Sequence, residues 1–123
     1  MKTLTDNIAD TEYLYRGILD IWIDKEHNRI TSAAFKDSLG VSVDRQADRQ
    51  DEQCIQTLKL KSSKFVCVCK LLTKEVRQSE MFVKYCPSNS NIYHSEIHDS
   101  ETQVRITSQS KARRLSTLAQ ICE

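Results

Sequence analysis

The run KFVCVCKLL, residues 64–72, is apolar on both of the faces that an extended chain presents. Alternate side chains of a strand point to opposite sides. Phe65, Cys67 and Cys69 therefore share one face and Val66 and Val68 the other, and neither set is suited to water. Such a segment belongs in the middle of a sheet with cover on both sides. The rest of the chain must supply that cover.

Two segments have the composition for it. Residues 46–61, QADRQDEQCIQTLKLK, consist of helix formers, with Ala47, Cys54, Ile55 and Leu58 as a narrow apolar stripe. Asp48, Asp51 and Glu52 precede Lys59 and Lys61, the order that a helix dipole prefers. Residues 108–121 read as an amphipathic helix capped by Ser108, with Ala112, Leu115, and Leu118 or Ala119 at three- and four-residue spacings. The aromatic and β-branched stretch at 12–23 favours strand, as two short pieces broken at Arg16-Gly17. SAAF (32–35) and VSVD (41–44) read as short extended pieces joined by KDSLG, whose Gly40 supplies a turn. LLTKEVRQ is expected to make one helical turn before EMFVKYC (80–86) returns as a strand. PSNSN (87–91) is the clearest loop, and IYHSEIH after it is a further strand. The expectation is a single α+β domain over residues 1–123. It has one mixed sheet of five to six strands and two main helices, at about 46–61 and 108–121.

Composition narrows the function classes. A chain of 123 residues can bury one modest core, and 39% hydrophobic with 28% charged residues is globular rather than disordered. A net charge of +1 argues against a function dominated by polyanion binding. No apolar stretch approaches the ~20 residues of a membrane span, and the acids in MKTLTDNIADTEYLY stand where a secretion signal needs its apolar region. The five cysteines are odd in number and contain no C-x-x-C pair. They read as reduced thiols used as small apolar residues, not as a disulfide frame or a zinc knuckle. The cytoplasm is the expected location.

The order YRGI, then R-x-x-SAAFKDS-x-G-x-SVDR, then N-x-x-H-x-x-I, then SKARRLSTLAQI resembles a set of small bacterial and phage-associated proteins. The resemblance runs from about Tyr15 to Ile121. Its most specific pieces are residues 32–38, residues 42–45 and the set Asn91, His94 and Ile97. It implies a self-standing bacterial domain in a mobile-element or defence-associated setting, with no particular chemistry. Where those sequences carry Asn-Pro ahead of the histidine, this chain has Asn91-Ile92, so its loop is expected to differ.

Several residues are candidates for chemistry. His94, Glu96 and His98 alternate along one strand face, a pattern that serves a site or only a wetted surface. A metal is not expected, since a zinc site wants further ligands placed by the fold. His98, beside a turn, is expected in water. Arg16 lies in an apolar stretch and is costly to bury alone. It is expected either on an exposed edge, or paired with an acid such as Asp44, or on an anionic ligand. Arg16, Ser32 and Glu96 occur in the order used by NAD-dependent ADP-ribosyltransferases, to which the chain is similar in that respect only. The paired acid around Glu96 and the second serine of that pattern are missing. A nuclease would use His27 or His94 as acid and base, with Arg45 or Lys36 stabilising the charge. Against both stands a non-catalytic module, with Asp44 and Arg45 as a structural or binding pair. Lys111, Arg113 and Arg114 would then form a basic face for an acidic partner or a phosphate backbone. The expected function is an accessory or interaction module with a protein partner and no cofactor; whether the chain is an enzyme stays open at this level. A nucleic acid is not indicated by the net charge, no membrane is expected, and open sheet edges permit a homodimer.

Overall fold

The run at 64–72 becomes β5 (Phe65–Leu72), one strand in from the edge of a six-stranded sheet. The structure is a computed structural model that describes residues 4–122. In chain order the other strands are β1 (Tyr13–Leu19), β2 (Ile23–Asp24), β3 (Arg29–Ile30), β4 (Val41–Arg45), β6 (Phe82–Tyr85), β7 (His94–His98) and β8 (Gln120–Ile121). The sheet order is β6-β7-β4-β1-β5-β8, and β2 with β3 forms a separate two-strand ribbon. The fold is α+β. Mixed strand direction was the expectation, but every pairing is antiparallel, because no helix here serves as a crossover between parallel neighbours.

The helices are α1 (Asp51–Lys61), α2 (Thr73–Gln78) and α3 (Gln109–Leu118). α1 starts five residues later than its helix formers imply. Ala47 has φ +54, a left-handed conformation no helix interior accepts, and Gln50 with Gln53 then closes a reciprocal capping box. α3 is capped by Ser108, whose hydroxyl accepts from the Lys111 amide, as the sequence implies. It ends at Leu118, and the next residues leave the helix as β8 against Cys69 and Lys70. The stretch at 32–35, expected as strand, is a 3-10 turn (Ser32–Phe35) that buries Ala34 and Phe35.

Register assigns the two sheet faces. Leu14 and Ile18 of β1, Val41 and Val43 of β4 and Ile97 of β7 join the larger core, with Phe35, Ala112 and Leu115 above them. The opposite face carries Tyr15 and Val68 beneath Cys54, Ile55 and Leu58 of α1. α1 covers the β1–β5 half of that face, while the β4–β7–β6 half carries Ser42, Asp44, His94, Glu96 and Lys84.

Arg45 points from β4 to the larger-core face and ties down the segment before β1. Its guanidinium donates to Glu12 Oε1 (2.6 Å) and Oε2 (3.0 Å) and to the Thr5 and Asn7 carbonyls. It also lies 4.8 Å from the Tyr85 ring centre. The pair is nearly dry, with 4% and 11% of the two side chains exposed. Burial alone would push Glu12 up. Hydrogen bonds from Arg45 and from the Ala9 and Ala47 amides outweigh it and hold the carboxyl below its ordinary 4.5.

A group whose folded pKa is depressed contributes stability above its unfolded pKa and loses it as pH falls through the folded value. Glu12→Gln is therefore expected to lower unfolding free energy by about 3 kcal/mol at neutral pH. The gap to wild type should narrow as the buffer is taken well below pH 4.5. Urea denaturation across that range measures both; a gap that stays constant on acidification means the carboxylate is not the stabilising form.

Candidate functional site

β1 pairs with β5 along its whole length, but with β4 only through Leu14↔Arg45 and Tyr15↔Asp44. Beyond Tyr15 the two strands part. β4 continues on β7 from Asp44 back to Val41, so the Ser42 carbonyl faces a gap where β1 amides would have been. Arg16 fills it: Nη1 donates to the Ser42 carbonyl (2.7 Å) and Nε to the Ala34 carbonyl (2.9 Å). Its guanidinium carbon lies 5.0 Å from the Trp22 ring centre and 5.9 Å from that of Phe35. Burial pulls the Arg16 pKa below its ordinary value, opposed in part by Asp37.

The parting leaves a cleft of about 390 Å3, walled by Gly17, Trp22, Leu58 and Phe65 and edged by Asp37, Ser42, Asp44, Lys61 and His94. Gly17 makes its width possible, since a Cβ there would stand 2.3 Å from the Phe65 ring. Asp44, 3% exposed at its side chain, accepts from Asn91 Nδ2 (2.9 Å) and meets Lys61 Nζ at 3.3 Å and 3.4 Å. Asn91 is held in turn, its side-chain oxygen accepting from the Tyr93 amide. The Lys61 contact is long and its side chain is 42% exposed, so the ammonium adds little stability. Asp44 Oδ2 is thus a buried acceptor with one loosely held donor.

His94 stands opposite Asp44 across the strands. Its Nε2 lies 3.4 Å from Glu96 Oε2, and His98 Nε2 lies 2.8 Å from Glu96 Oε1. The alternating face expected from the sequence is therefore a chain of three side chains with Glu96 between two rings. His98 is not in water: it is 6% exposed, beneath Gly40 and 6.2 Å from the Phe82 ring. Gly40 has φ +95, and a Cβ there would lie 3.0 Å from His98 and 3.1 Å from Glu96. Both conditions call for glycine.

Arg16 lines the cleft with Asp44 and His94, but from a central strand it bonds main-chain carbonyls, not Asp44, and it is not on an exposed edge. The other candidates are dispersed. Ser32 lines a different groove, its hydroxyl accepting from Gln109, and Glu96 lies off the cleft wall; the Arg16, Ser32 and Glu96 set is not gathered. Arg45 is locked on the opposite face with Glu12. His27 is exposed on the β2–β3 hairpin against Asp24, and Lys36 lines a third groove, so the nuclease set is also apart. Lys111 donates to the Glu80 and Asp99 carbonyls and Arg114 to the Ser79 hydroxyl, leaving Arg113 exposed. Cys69 is pushed up to about 12 and Cys122 up to about 11, by burial above all, so neither is a thiolate at neutral pH. Among the described residues, no three His, Cys, Asp or Glu side chains converge as a metal would need, and no helix is long and apolar enough to cross a membrane.

Lys61 and Trp22 carry no signal in the sequence, because the parting of β1 from β4 creates their role. Comparison of the chain with protein-family models, with curated proteins and with solved structures finds no match in any of the three.

Removing Arg16 orphans two carbonyls, so Arg16→Met is expected to lower stability by about 3 kcal/mol, against about 0.5 kcal/mol or less for Ser32→Ala. Denaturant midpoints of the two variants check this. An Arg16→Met protein as stable as wild type would show that the arginine is held for a ligand and not for the strands.

Proposed function

We propose that the chain is an interaction module whose recognition site is the cleft between β1 and β4. The cleft takes a group with an apolar body and a hydrogen-bond donor at its tip, such as an amine, amide or guanidinium presented by a protein partner. One observation carries the reading: apolar walls surround the buried Asp44 carboxylate, whose competing cation among the described residues is the loosely held, half-exposed Lys61. A donor-bearing tip would take over the place of Lys61, which returns to solvent at small cost. A concave, mostly apolar site with a few converging polar groups is what such recognition requires.

Binding is favoured over turnover because the charges in and around the cleft already have partners within the chain. Arg16 is on carbonyls, Asp44 is on Asn91 and Lys61, and Glu96 is between two histidines. The Tyr15 hydroxyl is on Asp51 at 2.6 Å. Its phenol is pushed up by burial and then by that carboxylate, which leaves it a donor and not a base. A second reading, acid–base work by His94, draws on its orientation by Glu96 and its position on the cleft wall.

The test is a fragment screen by 1H–15N correlation spectroscopy, using small aromatic and aliphatic amines, amides and guanidines. Binders are expected to shift the Gly17, Ser42 and Asp44 amides and the Trp22 indole. Ser42→Trp, which plugs the cleft from an exposed strand position, is expected to abolish those shifts. Fragments that bind equally well to Ser42→Trp, or that bind only outside the cleft, would sink the reading. Conversion of a fragment in a His94-dependent manner would replace it with the catalytic one.

A further inference from the structure

A second surface, on the side of the sheet that carries α3, has the opposite chemistry. Two adjoining grooves, of about 560 Å3 and about 280 Å3, run along α3 and the 3-10 turn and share Gln109 as a common wall. Arg29 and Arg113 line the first, and Lys36 and Arg105 line the second. No carboxylate lines either groove. The chain as a whole is nearly neutral, at +1, so this separation of charge is local and belongs to the fold.

The way arginines are used elsewhere sharpens the point. Of the eight in the sequence, Arg16, Arg45, Arg49, Arg77 and Arg114 are hydrogen-bonded within the fold, and Arg29 lies 3.5 Å from Asp24. The two whose guanidinium has no partner among the described residues, Arg105 and Arg113, both line these grooves. On α3 itself Lys111 and Arg114 line a separate groove beside Glu80 and are hydrogen-bonded there, and Arg113 faces the first of these two grooves. Thr107 stands beside Arg105, while the Ser116 and Thr117 hydroxyls beside Arg113 donate to the Arg113 carbonyl within α3.

We propose that these two grooves bind the phosphodiester backbone of a nucleic acid. Guanidinium forks without partners among the described residues, with the Thr107 hydroxyl beside one of them, are groups that phosphate oxygens accept from. Cations in two successive grooves suit anionic groups repeated along a chain better than a single phosphate. No aromatic ring lines either groove, so bases find no stacking platform. Binding is then through backbone contacts and indifferent to sequence.

The probe is a fluorescently labelled DNA duplex of about 20 base pairs and mixed sequence, followed by anisotropy over a salt series. Four phosphate contacts predict a slope of log K against log salt of about −3.6. The double variant Arg105→Ala, Arg113→Ala is expected to bind at least tenfold more weakly, with the slope reduced to about −1.8. Both positions are exposed, and an unchanged melting curve will show that the double variant folds. Ser42→Trp, in the cleft, should bind the duplex as wild type does, which separates this site from the one proposed above. The proposal is overturned by any of three results: no saturable binding at 50 mM salt, an unaltered slope in the double variant, or a polyglutamate peptide binding as tightly as the duplex. The last would assign the grooves to an acidic protein instead.

Discussion

A guanidinium on a central strand stands where the amides of a neighbouring strand would otherwise stand, and the rest of the molecule is arranged around that substitution. Leaving the Ser42 and Ala34 carbonyls without donors would cost about 1–3 kcal/mol each. Arg16 supplies both, from between the Trp22 and Phe35 rings. A lysine has one point charge and no planar fork, and could not reach two carbonyls while stacked on two rings. The price of the arrangement is a buried cation, answered in part by Asp37. What it provides is a sheet that parts between two strands with the Ser42 carbonyl still satisfied, and a cleft in the opening.

The two faces of the sheet then divide by chemistry. The larger-core face is apolar from β4 to β5 apart from Arg45 and Arg16, and is closed by α3, the 3-10 turn and the segment that Arg45 holds. The other face is apolar only beneath α1. Its remaining half carries ionisable groups that satisfy one another, Asp44 with Asn91 and Lys61, and Glu96 with His94 and His98. Polar groups half removed from water must be paired in this way, or the half-sheet would be an unstable surface. Gly40 brings the 37–40 turn close enough to cover part of that half, which is why His98 is dry.

Much of this architecture is legible in the sequence, and the failures have physical causes. The apolar run identifies β5, although an irregularity in its register leaves Val66 exposed and puts Phe65 with Val68 under α1 rather than with Cys67 and Cys69. The three- and four-residue spacing with a serine cap identifies α3. Residues 32–35 mislead because a short apolar run has no distinguishing period. Two alanines favour a helical turn, and Arg16 then fixes that turn through the Ala34 carbonyl. His98 misleads because proximity to a turn implies exposure unless another loop folds back over it, and Gly40 does so from 58 positions away. Arg16 is visible as an anomaly, an arginine among apolar residues, but its partners are backbone atoms and leave no trace in residue identity. Any site made by two strands parting is hidden in the same way. Propensity marks strands; it does not mark where their pairing stops.

Residues 29–40 contribute to both surfaces. Arg29, Ser32 and Lys36 face the cationic grooves, Ala34 receives Arg16, Asp37 edges the cleft and Gly40 covers His98. The segment has little regular structure of its own. Its 3-10 turn is held from one side by Arg16 on the Ala34 carbonyl and from the other by Gln109 on the Ser32 hydroxyl. Those two bonds lie two residues apart on one tight turn. The Arg16 and Gln109 bonds therefore fix Ser32 and Lys36 relative to the cleft wall. The role of the turn at Ser32–Phe35 in the fold is mechanical: through Arg16 on one side and Gln109 on the other it ties the cleft wall to the grooves along α3.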